Sequence, residues 1–72
     1  MLARVKNGKA VEIEVNPSGV YHAVPQLRSA HQRCKYMAVP RELRSLAINV
    51  TKGTGIGVMD GNGNILKRCR QK

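Results

Sequence analysis

The chain has 72 residues, 13 of them Lys or Arg and 4 Asp or Glu, for a formal net charge of +9. Its 42% apolar content is ordinary for a globular chain and too high for a disordered tail, although a chain of this length buries only about 60% of the surface its unfolded form exposes. These numbers exclude a multi-domain enzyme, a disulfide-dense scaffold and a membrane span. The N-terminal MLARVKNGKA has no apolar core of a signal peptide, and no apolar run approaches the roughly 20 residues a bilayer requires.

The expectation is one small basic domain over 1–72, cytoplasmic, of thin stability and with room for a homodimer partner. With 2 Tyr, no Phe and no Trp, the core must be built from Val, Ile, Leu, Ala and Met. Cys34 and Cys69 are too few for a secreted framework, so free thiols in a reducing setting are expected, with a single Cys34–Cys69 bridge as the alternative.

Val11-Glu12-Ile13-Glu14-Val15 alternates strictly and predicts a strand. Asn7-Gly8 marks a hairpin before it. A three-residue loop over 7–9 sets Val5 opposite Val11, Ala3 opposite Ile13 and Arg4 opposite Glu12. This register is preferred to the two-residue loop that pairs Arg4 with Val11. It leaves Glu12 and Glu14 on a solvated face. Asn16-Pro17-Ser18-Gly19 fits a β-turn, and Val20–Val24 a third strand.

Residues 25–50 read as one broken helix or two short ones. Pro25 suits a first helical position, and Leu27, Ala30, Cys34 and Met37 follow at helical spacing. Pro40 divides the segment. A second helix then carries Leu43, Leu46, Ala47 and Val50 on one face, Arg41 and Arg44 away from it, and Glu42 in its first turn. Thr51–Gly55 is a flexible connector. Ile56–Met59 and Ile65–Cys69 form a hairpin around Asp60-Gly61-Asn62-Gly63-Asn64, which fits a type I turn closed by a left-handed glycine. The fold class is therefore α+β: a small antiparallel sheet made of the N-terminal and C-terminal hairpins, with the helices of 25–50 against it.

Few constellations could carry chemistry. Lys52-Gly53-Thr54-Gly55-Ile56-Gly57 lacks the order and the following helix of a nucleotide loop, though its backbone N–H groups could touch a phosphate. Asp60–Ile65 echoes an EF-hand loop, but Val58 and Cys69 stand where carboxylates are needed. His31 and Cys34 share a helix face in this reading, without the tight spacing that marks a zinc site, so Cys34 is assigned to the core and no metal or other cofactor is expected. No nucleophile–base arrangement appears, and a non-enzymatic protein is expected.

What remains is charge. Arg28, Arg33 and Lys35 fall on the first helix, Arg41 and Arg44 on the second, and Lys67, Arg68 and Arg70 in the C-terminal segment, which continues to Lys72. Such a footprint points to phosphates. Two tyrosines offer no stacking platform for single strands, so duplex DNA is favoured over single-stranded RNA. Met37–Leu43 is similar to the turn and recognition-helix start of a helix-turn-helix, with the last hairpin as a wing, although Leu43 and Leu46 come one position early and Pro40 stands in place of the usual cap. This allows a winged-helix-like arrangement. The leading expectation is a duplex-DNA-binding regulator of transcription that contacts phosphates through these eight cations. The alternative is a small modulator that docks the same basic face on an acidic patch of a larger, nucleic-acid-handling protein, and a third reading is a ribosome-associated RNA binder.

Overall fold

A computed structural model describes residues 4–6, 9–30 and 33–70. The elements run β1 (Arg4–Lys6), β2 (Lys9–Ile13), α1 (Pro17–Arg28), β3 (Cys34–Ala38), a 3-10 turn (Arg41–Leu43), α2 (Arg44–Val50), β4 (Gly57–Met59) and β5 (Ile65–Lys67). The five strands form one sheet in the order β1-β2-β3-β4-β5. The class is α+β, with the N-terminal and C-terminal hairpins at the sheet's two edges and two helices packed on it.

The centre of the sheet departs from the sequence-based expectation. β2, β3 and β4 are parallel, and only the two edge pairs are antiparallel. Parallel neighbours need a crossover, and α1 and α2 supply the two crossovers. α1 packs on β2 and β3, α2 on β4, and the helices on each other, so both lie on one face.

α1 forms where a turn and a third strand were expected. Asn16 is its N-cap, the side chain accepting from Gly19 N–H at 2.8 Å, and Pro17 takes the first helical position. Val20, Ala23 and Leu27 then share its buried face. Pro25, expected to open a helix, lies inside this one. Conversely, Cys34–Ala38 is a strand and not a helical stripe. As a central parallel strand it is covered on both faces over Tyr36–Ala38, all three buried, which gives a short apolar run there in place of alternation. Met37 and Ala38 therefore end a strand, and a strand, not a helix, leads into the Pro40 turn, so the helix-turn-helix likeness and the winged arrangement do not hold. The second helix is as expected: Ala47 is buried, Leu43, Leu46 and Val50 pack on the core, and Arg41 and Arg44 are exposed.

The hairpin register is also corrected. Arg4 pairs with Val11, Val5 with Ala10 and Lys6 with Lys9, which makes a two-residue connection over 7–8; Ala3 and Gly8 lie outside the described residues. The β2 faces are the reverse of those expected. Ala10, Glu12 and Glu14 point under the helices, with Glu12 only 1% exposed, whereas Ile13 is 49% and Val15 73% exposed. The core consists of Ala10, Val20, Ala23, Leu27, Met37, Val39, Ala47, Ile56 and Val58.

Burial raises the Glu12 pKa above its ordinary 4.5, and the Glu14 carboxyl, hydrogen-bonded to it, raises it further. A raised native pKa means that Glu12 contributes stability fully below about pH 4.5, and that this contribution is lost as pH climbs through the native value. Glu12→Gln is neutral at every pH and nearly isosteric. It is expected to match wild type near pH 4 and to be the more stable of the two at pH 7, by about 1 kcal/mol, because burial disfavours the ionised carboxylate that only wild type carries there. Thermal melts of both proteins from pH 4 to 8 test this. A variant weaker than wild type at pH 7 would show that the ionised carboxylate is held, not disfavoured.

Cys34 and Cys69 form a disulfide with Cα atoms 5.6 Å apart, so the expected free thiols are not seen. The segment after β5 continues beside the start of β4, where Arg70 N–H donates to the Gly55 carbonyl at 2.8 Å. The Tyr36 ring is pressed against Gly57, and its hydroxyl accepts from Cys69 N–H at 3.4 Å. The segment after β5 is thus held by backbone, aromatic and covalent contacts together.

Candidate nucleic-acid interface

The parallel strands give the sheet two distinct ends, and charge divides between them. At the ends where β2, β3 and β4 begin lie Lys9, Arg33 and Lys35, together with Arg28 at the close of α1 and Lys52 after α2. Because β5 runs antiparallel to β4, Lys67, Arg68 and Arg70 return to this same end. At the opposite end lie all 4 acidic side chains of the chain: Glu12 and Glu14 late in β2 and just beyond it, Glu42 after β3, and Asp60 after β4. Arg41 and Arg44 stand at that acidic end. The fold therefore brings together six of the eight cations singled out from the sequence and separates Arg41 and Arg44 from them.

Not all six are free for a partner. Lys35 Nζ donates to the Arg28 carbonyl at 3.1 Å. Lys67 Nζ donates to Thr51 O at 2.8 Å, Thr51 Oγ1 at 3.0 Å and Ile56 O at 3.1 Å. Each lysine satisfies carbonyls at a helix C-terminus, where a cation is also favoured by the dipole. Lys67 has spent all three donors, and its pKa is lowered first by burial and then by the nearby charges of Arg70 and Lys52. Arg28, Arg33, Lys52, Arg68 and Arg70 are exposed. Lys9 lies over the Tyr36 ring at 5.8 Å from its centroid.

Beside Lys67 the basic end is concave. Lys52, Gly53, Gly55, Lys67, Arg68 and Arg70 line a pocket of ≈ 390 Å³. Lys52 is not among the eight cations singled out from the sequence, where this loop is a flexible connector whose backbone N–H groups could touch a phosphate. The clue was a lysine directly before two glycines, but its meaning depends on β5 returning alongside.

The other readings resolve locally. Asp60 carboxylate oxygens accept from Asn62 N–H and Asn64 N–H, each at 2.9 Å, and from Asn64 Nδ2 at 3.0 Å. Gly63 has φ of 87°, so the segment is the left-handed-glycine turn expected and the aspartate is consumed within it. Hydrogen bonding from Asn64 holds the Asp60 pKa below its ordinary value. Among the described residues no group of three or more His, Cys, Asp or Glu could hold a metal ion. Cys34 is bonded to Cys69 and opens a strand, so the shared helix face with His31 does not exist; His31 itself, like Lys72, lies outside the described residues. Among the described residues no helix is long and apolar enough to cross a membrane.

Comparison with protein families, with curated proteins and with solved structures finds no match.

Proposed function

We propose that this chain is a small non-enzymatic nucleic-acid-binding protein that holds the phosphate backbone of duplex DNA against its basic end, as a regulator. The observation that carries this reading is the division of charge: Arg28, Arg33, Lys52, Arg68 and Arg70 are gathered and exposed at one end of the sheet, while every Asp and Glu lies at the other. Such a dipolar distribution presents one face to a polyanion and turns its repulsive groups away. A duplex is favoured over a single strand because the basic end offers no aromatic platform: Tyr36 is 3% exposed, and Tyr21 lies on α1 away from it.

The salt dependence of duplex binding tests this. About four phosphate contacts should give a slope of log affinity against log salt near −4, each contact contributing about −0.9. Arg68→Ala with Arg70→Ala is expected to remove about two units of slope, while Arg41→Ala with Arg44→Ala leaves it unchanged. No duplex binding at low salt, with capture of an acidic protein instead, would replace this reading by that of a protein-docking modulator. A cytoplasmic setting goes with free thiols, whereas the Cys34–Cys69 bridge goes with an oxidising one. Blocking thiols at lysis and weighing the protein decides between them: two added alkyl groups for the former, none for the latter.

A further inference from the structure

We propose that the pocket at the basic end is a discrete site for a terminal phosphate, a phosphomonoester dianion at a nucleic-acid strand end or on a free mononucleotide. This rests on the phosphate-binding reading above and gives it a specific subsite.

The pocket differs from the rest of the basic surface in three ways. Four of its six lining residues, Lys52, Lys67, Arg68 and Arg70, are cations, and no carboxylate lines it. The loop contributes backbone donors as well. Gly53 and Gly55 have φ of 74° and 80°, left-handed values that L side chains adopt rarely. Their N–H groups donate to no acceptor among the described residues, although Lys52, Thr54 and Ile56 N–H are all engaged. Alternation through left-handed glycines is how backbone N–H groups converge on an anion. Finally, the walls are fixed. Lys67 is anchored by three hydrogen bonds, and Cys69, between Arg68 and Arg70, is tied to β3.

The chemistry selects phosphate. Arginine forks and several N–H donors outnumber what one carboxylate can accept, whereas a phosphate monoester offers three strong acceptor oxygens and nearly two charges. Concavity selects a terminal group. The phosphodiesters of a duplex lie along a convex ridge, but an end phosphate projects and can enter. A volume of ≈ 390 Å³ sits at the lower end of ligand pockets, enough for the phosphate with its attached sugar.

The test uses the full chain with two short duplexes of one sequence, one bearing 5′-phosphates and one 5′-hydroxyls, and a nucleoside 5′-monophosphate as competitor. Binding is expected to be at least tenfold tighter for the phosphorylated duplex. Lys52→Ala with Arg70→Ala is expected to abolish that preference; both side chains are exposed, so folding should be unaffected. Displacement of the phosphorylated duplex by the mononucleotide assigns the site to phosphate monoesters generally, and failure to displace assigns it to strand ends. Equal affinity for the two duplexes overturns the pocket but leaves salt-dependent duplex binding standing. A preference that survives in the double variant overturns its assignment to these residues. Mononucleotide binding without any duplex binding upholds the pocket and overturns the wider reading.

Discussion

Reduction of the Cys34–Cys69 disulfide is expected to remove roughly 4 kcal/mol of stability, the loop-closure entropy of a bridge spanning 35 residues. For a domain whose total is about 4–11 kcal/mol at ordinary per-residue values, that is a large share. The melting temperature should fall by roughly 15–30 °C. The bridge links β3 to the segment that follows β5, so opening it frees the unfolded chain over most of the C-terminal half. Denaturant melts with and without reductant measure the effect, and Cys34→Ser with Cys69→Ser should reproduce the reduced state without reductant. Coincident midpoints would show that backbone pairing and the Tyr36 contact alone hold the segment. Where the reduced domain stays folded, its affinity for phosphate should also drop, because Arg68 and Arg70 flank the released cysteine.

Gly57→Ala is expected to cost about 3 kcal/mol, at the upper end of what overpacking usually does. A Cβ at this position would stand 2.5 Å from Tyr36 Cε1, 2.6 Å from Cys69 N and 2.7 Å from Lys67 O. The tyrosine ring could turn aside, but two of the three obstacles are backbone, and moving them separates β5 and its continuation from β4. Ala is otherwise the better strand residue of the two, so a neutral result would mean that the C-terminal strand shifts freely. Tyr36→Leu provides the control: it removes the ring but not the backbone obstacles, so Gly57→Ala should remain destabilising in that background. The melt that reports stability can be read alongside duplex binding, since the displaced strand carries Arg68 and Arg70.

The parts of this fold that were legible in the sequence are those decided within a few residues. A strand through Val11–Ile13, the turn at Asp60–Asn64 with its left-handed glycine, and the helix after Pro40 rest on alternation, turn chemistry and helical spacing, and all three are present, although the strand runs Lys9–Ile13 and stops short of the expected Val15. The start of α1 was equally local. Asn16 followed by Pro17, with Val20, Ala23 and Leu27 at helical spacing, marks an N-terminus that the turn-forming composition of Asn-Pro-Ser-Gly concealed. Cys34–Ala38 was ambiguous in principle, because a short apolar run fits a buried strand and a helix stripe alike. Its strand state comes from hydrogen bonds to β2 and β4 on either side.

By itself, then, the sequence determined the α+β composition, the net charge of +9 and the identity of the cations. Tertiary structure alone decided which face of β2 is buried, and so placed Glu12 and Glu14 under the helices. It also joined Cys34 to Cys69 and divided the cations, with Arg28, Arg33, Arg68 and Arg70 at one end and Arg41 and Arg44 at the other. The reason is physical. Periodicity and charge are properties of neighbouring residues, whereas the end of the sheet at which a side chain emerges depends on strand direction. Strand direction here is set by two helical crossovers, whose packing against the sheet involves contacts far apart in the chain.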